Sequence, residues 1–268
     1  MLTVLQIPEH ARPRKSLGQH FLHQEAVIER ILRHFASKPD DIVVEIGPGR
    51  GALTWSLLKS VRHLHVVELD DALAAYWRSA AREHGNLSVH HADALEFDYR
   101  DIAGAGRLRV IGNLPYNISS PLLFRLLDQS HCIRDLCLML QKEVVDRLCA
   151  APGTKDYGRL SVMVQQRCAV RRLFNVSRGA FTPPPKVESA VVELMPWETP
   201  PAPIKDPALY AEVVKRAFGQ RRKTLRNALA GLLDESDFAA CGIDPTQRAE
   251  RLSVADFARI AQRLRRTD

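Results

Sequence analysis

Short apolar runs alternate with amphipathic helical patterns from residue 42 onward, and this alternation constrains the fold more than any other feature. The runs IVVEI, HLHVVEL, LSVHH and LRVIG predict buried strands at residues 42–46, 63–69, 87–91 and 108–112. The segments between these runs place apolar residues at helical spacing. Strand–helix alternation of this kind predicts an α/β fold, a parallel sheet with helices on both faces.

The C-terminal part of the chain has a different pattern. The proline-rich stretch MPWETPPAPIKDP reads as a linker, and residues 205–268 beyond it show only helical periodicity. We therefore predict two domains, an α/β domain at residues 1–200 and a small all-helical domain at residues 201–268.

The bulk properties limit the class of protein. A net charge of +7 on 268 residues favours a polyanionic partner, above all a nucleic acid. The five cysteines are scattered, with no C-x-x-C pair, which argues against a zinc site or a disulfide framework. The N-terminal sequence lacks a signal-peptide pattern, and no apolar run is long enough to span a bilayer. We expect a cytoplasmic protein with no membrane partner.

The first predicted strand ends in a glycine-rich turn within VEIGPGRGALT. Gly47, Gly49 and Ala52 satisfy the pattern G-x-G-x-x-[G/A]. Glu68 ends the next strand about 20 residues later, where its carboxylate can accept both hydroxyls of a ribose. Taken alone, this pattern suits NAD as well as S-adenosylmethionine, and a tight turn without a ligand is a further alternative.

Two other carboxylates favour the methyl donor over the dinucleotide. Glu45 precedes the glycines, where its charge would repel a pyrophosphate but suit the ammonium of a methionine moiety. Asp93, in ADALEF, follows the third strand and could accept a hydrogen bond from an adenine amine. Acidic residues on three strands suit a cationic sulfonium ligand. We therefore predict S-adenosylmethionine as the cofactor of a Rossmann-like methyltransferase sheet.

The fourth predicted strand runs directly into the tetrapeptide NLPY. The exocyclic amine of adenine is a poor nucleophile, because its lone pair is delocalised into the ring. The Asn113 side-chain oxygen and the Leu114 carbonyl could accept its hydrogens and direct the lone pair toward a methyl group. Pro115 fixes φ and offers no competing N–H, while Tyr116 supplies a flat face for an unstacked base. A plain Asn/Pro turn with a packed tyrosine is the alternative.

These residues carry a resemblance to known enzymes. The tetrapeptide NLPY is similar to the [DNS]-[PLI]-P-[YF] signature of adenine amino-methyltransferases. RKSLGQHFL, VEIGPGRGALT, VIGNLPYNISSPLL, FTPPPKVESAVV and FGQRRKTLRNAL together resemble the ribosomal RNA adenine dimethylase family, over residues 12–264. The resemblance, which is closest to the bacterial small-subunit members, implies dimethylation of the N6 amines of two adjacent adenosines near the 3′ end of 16S ribosomal RNA. It also implies action late in 30S subunit biogenesis.

The resemblance further implies a set of donor-binding residues. Gly47 would lie at the methionine part of the donor, Glu68 at the ribose and Asp93 at the adenine. His20 and Leu22 would close over the donor from the N-terminal side, although His20 stands where many relatives have asparagine. The cofactor-binding residues implied are His20, Leu22, Gly47, Glu68, Asp93 and Asn113.

Phe181, in FTPPPKVES, is a second candidate for stacking on the target base, because the prolines after it would rigidify the loop. The alternative for this ring is a hydrophobic plug under the loop. The predicted catalytic residues are Asn113, Leu114, Pro115, Tyr116 and Phe181. The pair His90 and His91 lacks a third ligand at metal-binding spacing, so we predict no metal.

Basic residues form three clusters along the chain. They are Arg12, Arg14 and Lys15; Arg171, Arg172 and Arg178; and Arg221, Arg222, Lys223 and Arg226. Solvated faces are the usual explanation of such clusters, but beside a predicted base pocket they indicate phosphate contacts. We expect the helical domain to bind RNA or the ribosome. The expected partner is small-subunit ribosomal RNA within the pre-30S particle, bound by a monomer.

Three other functions account for parts of the sequence. A methyltransferase of the macrolide-resistance type, acting on large-subunit RNA, would share the donor site and an NLPY-like motif, but FGQRRKTLRNAL argues against it. A non-catalytic assembly or transcription factor of the same fold would be expected to lose the acidic and NLPY positions, which are all present. An NAD-dependent oxidoreductase would leave NLPY and the basic clusters unexplained.

Overall fold

The computed structural model describes residues 13–14, 17–104, 106–220 and 222–264. Three members of the predicted basic clusters, Arg12, Lys15 and Arg221, lie outside these residues. The strands are β1 (Phe21–Leu22), β2 (Ile42–Ile46), β3 (His63–Glu68), β4 (Leu87–His91), β5 (Leu108–Asn113), β6 (Ile133–Gln141), β7 (Cys168–Val176), β8 (Phe181–Thr182) and β9 (Ser189–Pro196). The α-helices are α1 (Glu25–Phe35), α2 (Thr54–Ser60), α3 (Asp71–Glu83), α4 (Arg100–Ala103), α5 (Ser119–Asp128), α6 (Lys142–Leu148), α7 (Arg159–Gln165), α8 (Pro207–Gly219), α9 (Leu225–Ala228), α10 (Glu235–Cys241) and α11 (Val254–Leu264).

Seven strands form one mixed sheet in the order β4-β3-β2-β5-β6-β9-β7. The pairs from β4 through β6 are parallel, and β9 runs antiparallel to β6. Successive strand residues point to opposite faces, and the neighbours Val43 and Val44 are both fully buried, so helices and loops cover both faces. The predicted Rossmann-like α/β fold is confirmed, with the four predicted strands present as β2 to β5. Helices α8 to α11 form the predicted helical C-terminal region.

Backbone contacts divide the chain into two compact units. The first comprises the described residues of 1–145 and 171–196, and the second those of 146–170 and 197–268. The predicted boundary at residue 200 assigns residues 146–170 to the α/β domain, whereas the structure groups them with the C-terminal helices. One reason is Tyr157, which is almost fully buried and donates its hydroxyl to the Leu252 carbonyl at 2.9 Å. No helix in the described ranges is both long and apolar enough to cross a membrane.

A buried ion network joins the starts of β2, β5 and β6 to the end of α1. Arg109 donates from Nε to Asp135 Oδ1 and from Nη1 to Asp41 Oδ2, each at 2.8 Å. Its guanidinium also donates to two main-chain carbonyls at the end of α1. Burial raises the pKa of Asp41, but hydrogen bonds from Arg109, the Lys38 main chain and Arg134 outweigh it and hold that pKa below its ordinary value. The network fixes the sheet at the edge opposite the glycine turn.

Replacing this arginine by an apolar residue should destabilise the protein strongly. In Arg109→Leu, two buried carboxylates lose a shared cationic partner, so we expect the free energy of unfolding to fall by about 3–5 kcal/mol. Urea denaturation followed by circular dichroism measures this change. The matched control is Arg171→Leu, which removes an exposed ion pair with Glu193 and should cost less than about 1 kcal/mol. Equal losses in the two variants would contradict a structural role of the network.

Candidate active site

The register of the parallel strands brings their carboxyl ends to one edge of the sheet. Ile46 of β2 lies opposite Val67 of β3 and Gly112 of β5. A cleft opens at this edge, and every predicted site residue except Phe181 lines it. These lining residues are His20, Leu22, Gly47, Glu68, Asp93, Asn113, Leu114, Pro115 and Tyr116. The topology therefore gathers residues that are distant in the sequence, as expected for a sheet of this kind.

The glycine turn after β2 forms one wall of the cleft. Gly47 has φ of 66°, in the left-handed region that favours glycine, and its N–H donates to the Val67 carbonyl at 2.9 Å. A Cβ added at Gly47 would meet no atom within 4 Å, so a side chain here would project into open space. A side chain of α3 also stabilises the turn, because Trp77 Nε1 donates to the Gly49 carbonyl at 3.0 Å. The missing side chain leaves room for a ligand against the backbone.

Two buried carboxylates face the same edge. Glu45 is 2% exposed, and among the described residues its Oε2 has no hydrogen-bond partner. Burial, opposed by the nearby Thr54 hydroxyl and reinforced by the charge of Glu68, raises the pKa of Glu45 to about 8. Burial also raises the pKa of Glu68, whose Oε1 accepts from the Asp70 main-chain N–H at 2.9 Å. An unsatisfied buried carboxylate oxygen beside the glycine turn fits a small cationic group.

Asp93 completes the acidic edge just beyond β4. Its Oδ1 accepts from the Leu95 main-chain N–H at 2.9 Å, which fixes the side chain at the rim of the cleft. Asp70 follows β3 and caps α3, accepting from Ala72 and Leu73. The cap stabilises the short connection that presents Glu68 to the cleft. The three predicted carboxylates on successive strands thus share one edge.

The raised pKa of Glu45 makes a prediction about stability in the absence of ligand. A carboxyl whose pKa is higher in the folded state than in the unfolded state destabilises the fold as it ionises. For Glu45 this loss occurs as the pH rises from about 4.5 toward about 8. We expect Glu45→Gln to remove this loss, so that its stability relative to wild type increases between pH 5 and 8 by on the order of 2–4 kcal/mol. Urea denaturation across this range measures it.

The control is Glu83→Gln, which changes an exposed carboxyl at the end of α3. Its side chain lies in water in both states, so any change in its stability difference from wild type should be much smaller than that of Glu45→Gln. A constant difference for Glu45→Gln would contradict the assignment of a buried, ionisable Glu45.

The NLPY segment forms the opposite wall of the cleft. Asn113 Nδ2 lies 2.9 Å from the His20 carbonyl oxygen. Because a carbonyl can only accept, the amide nitrogen makes this bond and Oδ1 is left for a donor in the cleft. The Leu114 N–H donates to the Met139 carbonyl at 3.2 Å, which ties the segment to β6. With the nitrogen engaged by His20, Oδ1 is the Asn113 atom that the predicted acceptor role would use.

The ring of Tyr116 is held by two partners. Its hydroxyl lies 2.5 Å from Ser189 Oγ, and the imidazole of His20 stacks with a ring-centroid distance of 5.7 Å and an interplanar angle of 27°. Burial raises the pKa of the Tyr116 hydroxyl. Ser189, which is fully buried at the start of β9, is not among the predicted site residues. The signal was present, because Ser189 belongs to the stretch FTPPPKVES, from which only Phe181 was selected.

Phe181 lies apart from the cleft. It pairs with Leu22 in the two-stranded sheet of β1 and β8, and its side chain is 2% exposed within the hydrophobic core. The ring is not among the residues that line the cleft, and its position corresponds to the hydrophobic plug. Its stacking on a target base stays a prediction. Ladder pairing turns the ring inward, which the loop sequence alone does not show.

The described members of the basic clusters lie at the surface. Arg14 pairs with Asp70 at 3.3 Å, and Arg226 pairs with Glu235 at 2.6 Å. Each of these guanidinium side chains is still about half exposed.

Within the residues that the structure describes, no group of three or more His, Cys, Asp or Glu residues is arranged to hold a metal ion.

Comparison with known proteins then decides the family. The family model for ribosomal RNA adenine dimethylase matches residues 10–266. The chain belongs to this family. Two relatives of the dimethylase family are named ribosomal RNA small subunit methyltransferase A. The protein from Pseudomonas syringae pv. tomato is 52% identical over 254 residues, covering 94% of this chain and 95% of the relative. The protein from Nitrosococcus oceani is 55% identical over 247 residues, covering 92% and 94%.

Two solved structures are similar to this dimethylase-family chain. A dimethyladenosine transferase from Plasmodium falciparum has a TM-score of 0.78 at 26% identity, covering 90% of this chain and 96% of that chain. The 23S rRNA methyltransferase ErmE has a TM-score of 0.70, also at 26% identity, covering 91% and 99%. Both similarities extend over nearly the whole chain, so they cover the C-terminal helices as well as the α/β sheet.

Proposed function

We propose that this chain is a ribosomal RNA adenine dimethyltransferase of the small subunit. It places two methyl groups on the N6 amine of each of two adjacent adenosines near the 3′ end of 16S ribosomal RNA. The observation that carries this conclusion is the identity of 52–55%, over more than nine-tenths of the chain, to proteins named for small-subunit RNA methylation. The intact NLPY wall beside an acidic cleft agrees with it.

The same comparisons bear on the macrolide-resistance alternative, in which the substrate is large-subunit RNA. The two solved structures have equal identity to this chain and similar TM-scores, so fold similarity does not separate a dimethyladenosine transferase from a 23S rRNA methyltransferase. Sequence identity is twice as high to the small-subunit relatives. The non-catalytic alternative is disfavoured, because a binding factor has no need of a buried Glu45 whose Oε2 lacks a hydrogen-bond partner among the described residues.

The methyl donor in this proposal is S-adenosylmethionine, which when bound supplies a methyl group activated by a sulfonium centre. Glu45 Oε2, which has no hydrogen-bond partner within the described ranges, and the open space at Gly47 fit the cationic methionine end. Glu68 would accept from the ribose hydroxyls and Asp93 from the adenine amine. The residues proposed to hold the donor are His20, Leu22, Gly47, Glu68, Asp93 and Asn113.

The opposite wall receives the adenosine in this proposal. Asn113 Oδ1 and the Leu114 carbonyl accept from the N6 amine and direct its lone pair into the cleft. Pro115 keeps a competing N–H away, and Tyr116 supports the face of the unstacked base. No general base is needed before attack, because the N6 protons become acidic once the nitrogen is alkylated. Water can accept the proton that leaves.

The surroundings of the reaction form the finer part of the proposal. The exposed arginines and lysines would contact phosphates and so position the RNA, with a steep dependence of binding on salt. The helical residues 201–268 would bind the ribosomal RNA within the pre-30S particle. We propose a cytoplasmic monomer that acts late in subunit biogenesis and uses no metal.

The test offers the purified protein labelled S-adenosylmethionine together with either unmodified small subunits or unmodified large-subunit RNA. Digestion to nucleosides should yield labelled dimethyladenosine from the small subunits only. Asn113→Ala should lower the rate at least about 100-fold, because it removes an acceptor aimed at the reacting amine. The matched control, Asn175→Ala, changes an exposed asparagine of β7 and should leave the rate unchanged.

Two outcomes would contradict the proposal. Label in large-subunit RNA would assign the chain to the resistance-type activity. RNA binding without label in either substrate would make the chain a binding factor that keeps the shell of a methyltransferase site.

A further inference from the structure

The segment that contains His20 is joined to a segment that lies far from it in the sequence. β1 and β8 pair as antiparallel strands, with Phe21 opposite Thr182 and Leu22 opposite Phe181. At one end of this ladder the His23 N–H donates to the Ala180 carbonyl at 3.0 Å. The short ladder therefore holds the start of the FTPPPKVES loop against the N-terminal segment.

His20 extends this ladder at its other end through its side chain. Imidazole Nδ1 lies 2.7 Å from the Pro183 carbonyl oxygen. A carbonyl can only accept, so Nδ1 carries the hydrogen and donates it. The same residue contacts the NLPY wall twice, since its carbonyl accepts from Asn113 and its ring stacks on Tyr116. One residue thus touches both the loop after β8 and the wall proposed to receive the base.

The chain just before His20 is fixed to the same wall. Gly18 has φ of 61°, and a Cβ added there would lie 2.9 Å from Asn117 Oδ1 and 3.8 Å from Pro115 Cβ. The backbone at Gly18 therefore passes directly over the residues that follow Asn113. This close approach limits the positions that the His20 side chain can take.

We propose that His20 is a positioning residue for the acceptor side of the cleft. Its Nδ1–H holds the loop after β8, and its ring holds Tyr116. The distance between this loop and the Tyr116 ring therefore stays the same when the target base enters. The inference rests on the proposed function and changes one part of it: the imidazole acts on the base-binding wall, while only the backbone of His20 borders the donor side. An Asn113 amide oriented by the His20 carbonyl is then part of the same arrangement.

The chemistry of Nδ1 gives a discriminating set of variants. An asparagine places its amide nitrogen at the position of Nδ1, one atom beyond Cγ, and can still donate to Pro183. A glutamine places its nitrogen one bond farther out, and an alanine offers no donor. The exposed His23 side chain, three residues along the same segment, provides His23→Ala as the matched control.

The experiment measures three quantities for each variant. They are the kcat for methylation of unmodified small subunits, the Kd for S-adenosylmethionine by calorimetry, and hydrogen exchange of peptides from residues 177–192. We expect His20→Ala and His20→Gln to lower kcat by about 10- to 100-fold, because the base wall loses its spacing. Their Kd should stay within about threefold of wild type, and exchange in residues 177–192 should rise. His20→Asn keeps a donor to the Pro183 carbonyl but lacks the ring, so exchange in residues 177–192 should stay close to wild type and kcat should lie between those of wild type and His20→Ala.

Specific results would overturn the inference. A tenfold or larger rise in Kd with unchanged kcat in His20→Ala would assign the imidazole to the donor instead. Equal kcat in His20→Gln and His20→Asn would show that the bond to Pro183 is not what matters, as would unchanged exchange in His20→Ala. A wild-type protein that binds the donor but methylates neither substrate would sink the proposed function, and with it this inference. An active wild type with an active His20→Ala would sink the inference alone.

Discussion

The parallel pairing of β2 with β3 and β5, and of β3 with β4, is the constraint on which the site depends. Parallel strands carry their carboxyl ends to the same edge, so the turn after β2, the end of β3, the loop after β4 and the end of β5 must meet there. A slip of one residue in any strand would turn its last side chain to the other face of the sheet. The buried apolar residues of the strands and the Arg109 network oppose such a slip.

The two walls of the cleft solve different physical problems. The acidic wall keeps carboxylates out of water, which raises the pKa of Glu45 and leaves its Oε2 without a hydrogen-bond partner in the described part of the chain. Such a group is costly alone and is relieved by a cation. The NLPY wall instead fixes neutral acceptors and a flat ring through hydrogen bonds at their far ends, as with Asn113 and Tyr116. Fixed acceptors need little reorganisation when a substrate arrives.

Much of this arrangement was predictable, because its signals are local in the sequence. Hydrophobic periodicity predicts β2 to β5, and the glycines, Glu68, Asp93 and Asn113 lie at or just beyond the ends of those strands. Pairings across long separations were not predictable. The bond between Tyr116 and Ser189 spans 73 residues, and that between Tyr157 and Leu252 spans 95. The bond to Tyr116 makes Ser189 part of the NLPY wall. The bond from Tyr157 groups residues 146–170 with the C-terminal helices. The pairing of Phe181 with Leu22 likewise joins two distant segments and places the Phe181 ring in the core.

The central claim is that one cleft holds a methyl donor on its acidic wall and an adenine on its NLPY wall. The most direct measurement is a crystal structure of the protein grown with S-adenosylmethionine. The account predicts the methionine end beside Glu45 and Gly47, the adenine at Asp93, and the sulfonium methyl directed toward Asn113 and Tyr116. A donor bound elsewhere, or one with its methyl group turned away from NLPY, would contradict the account.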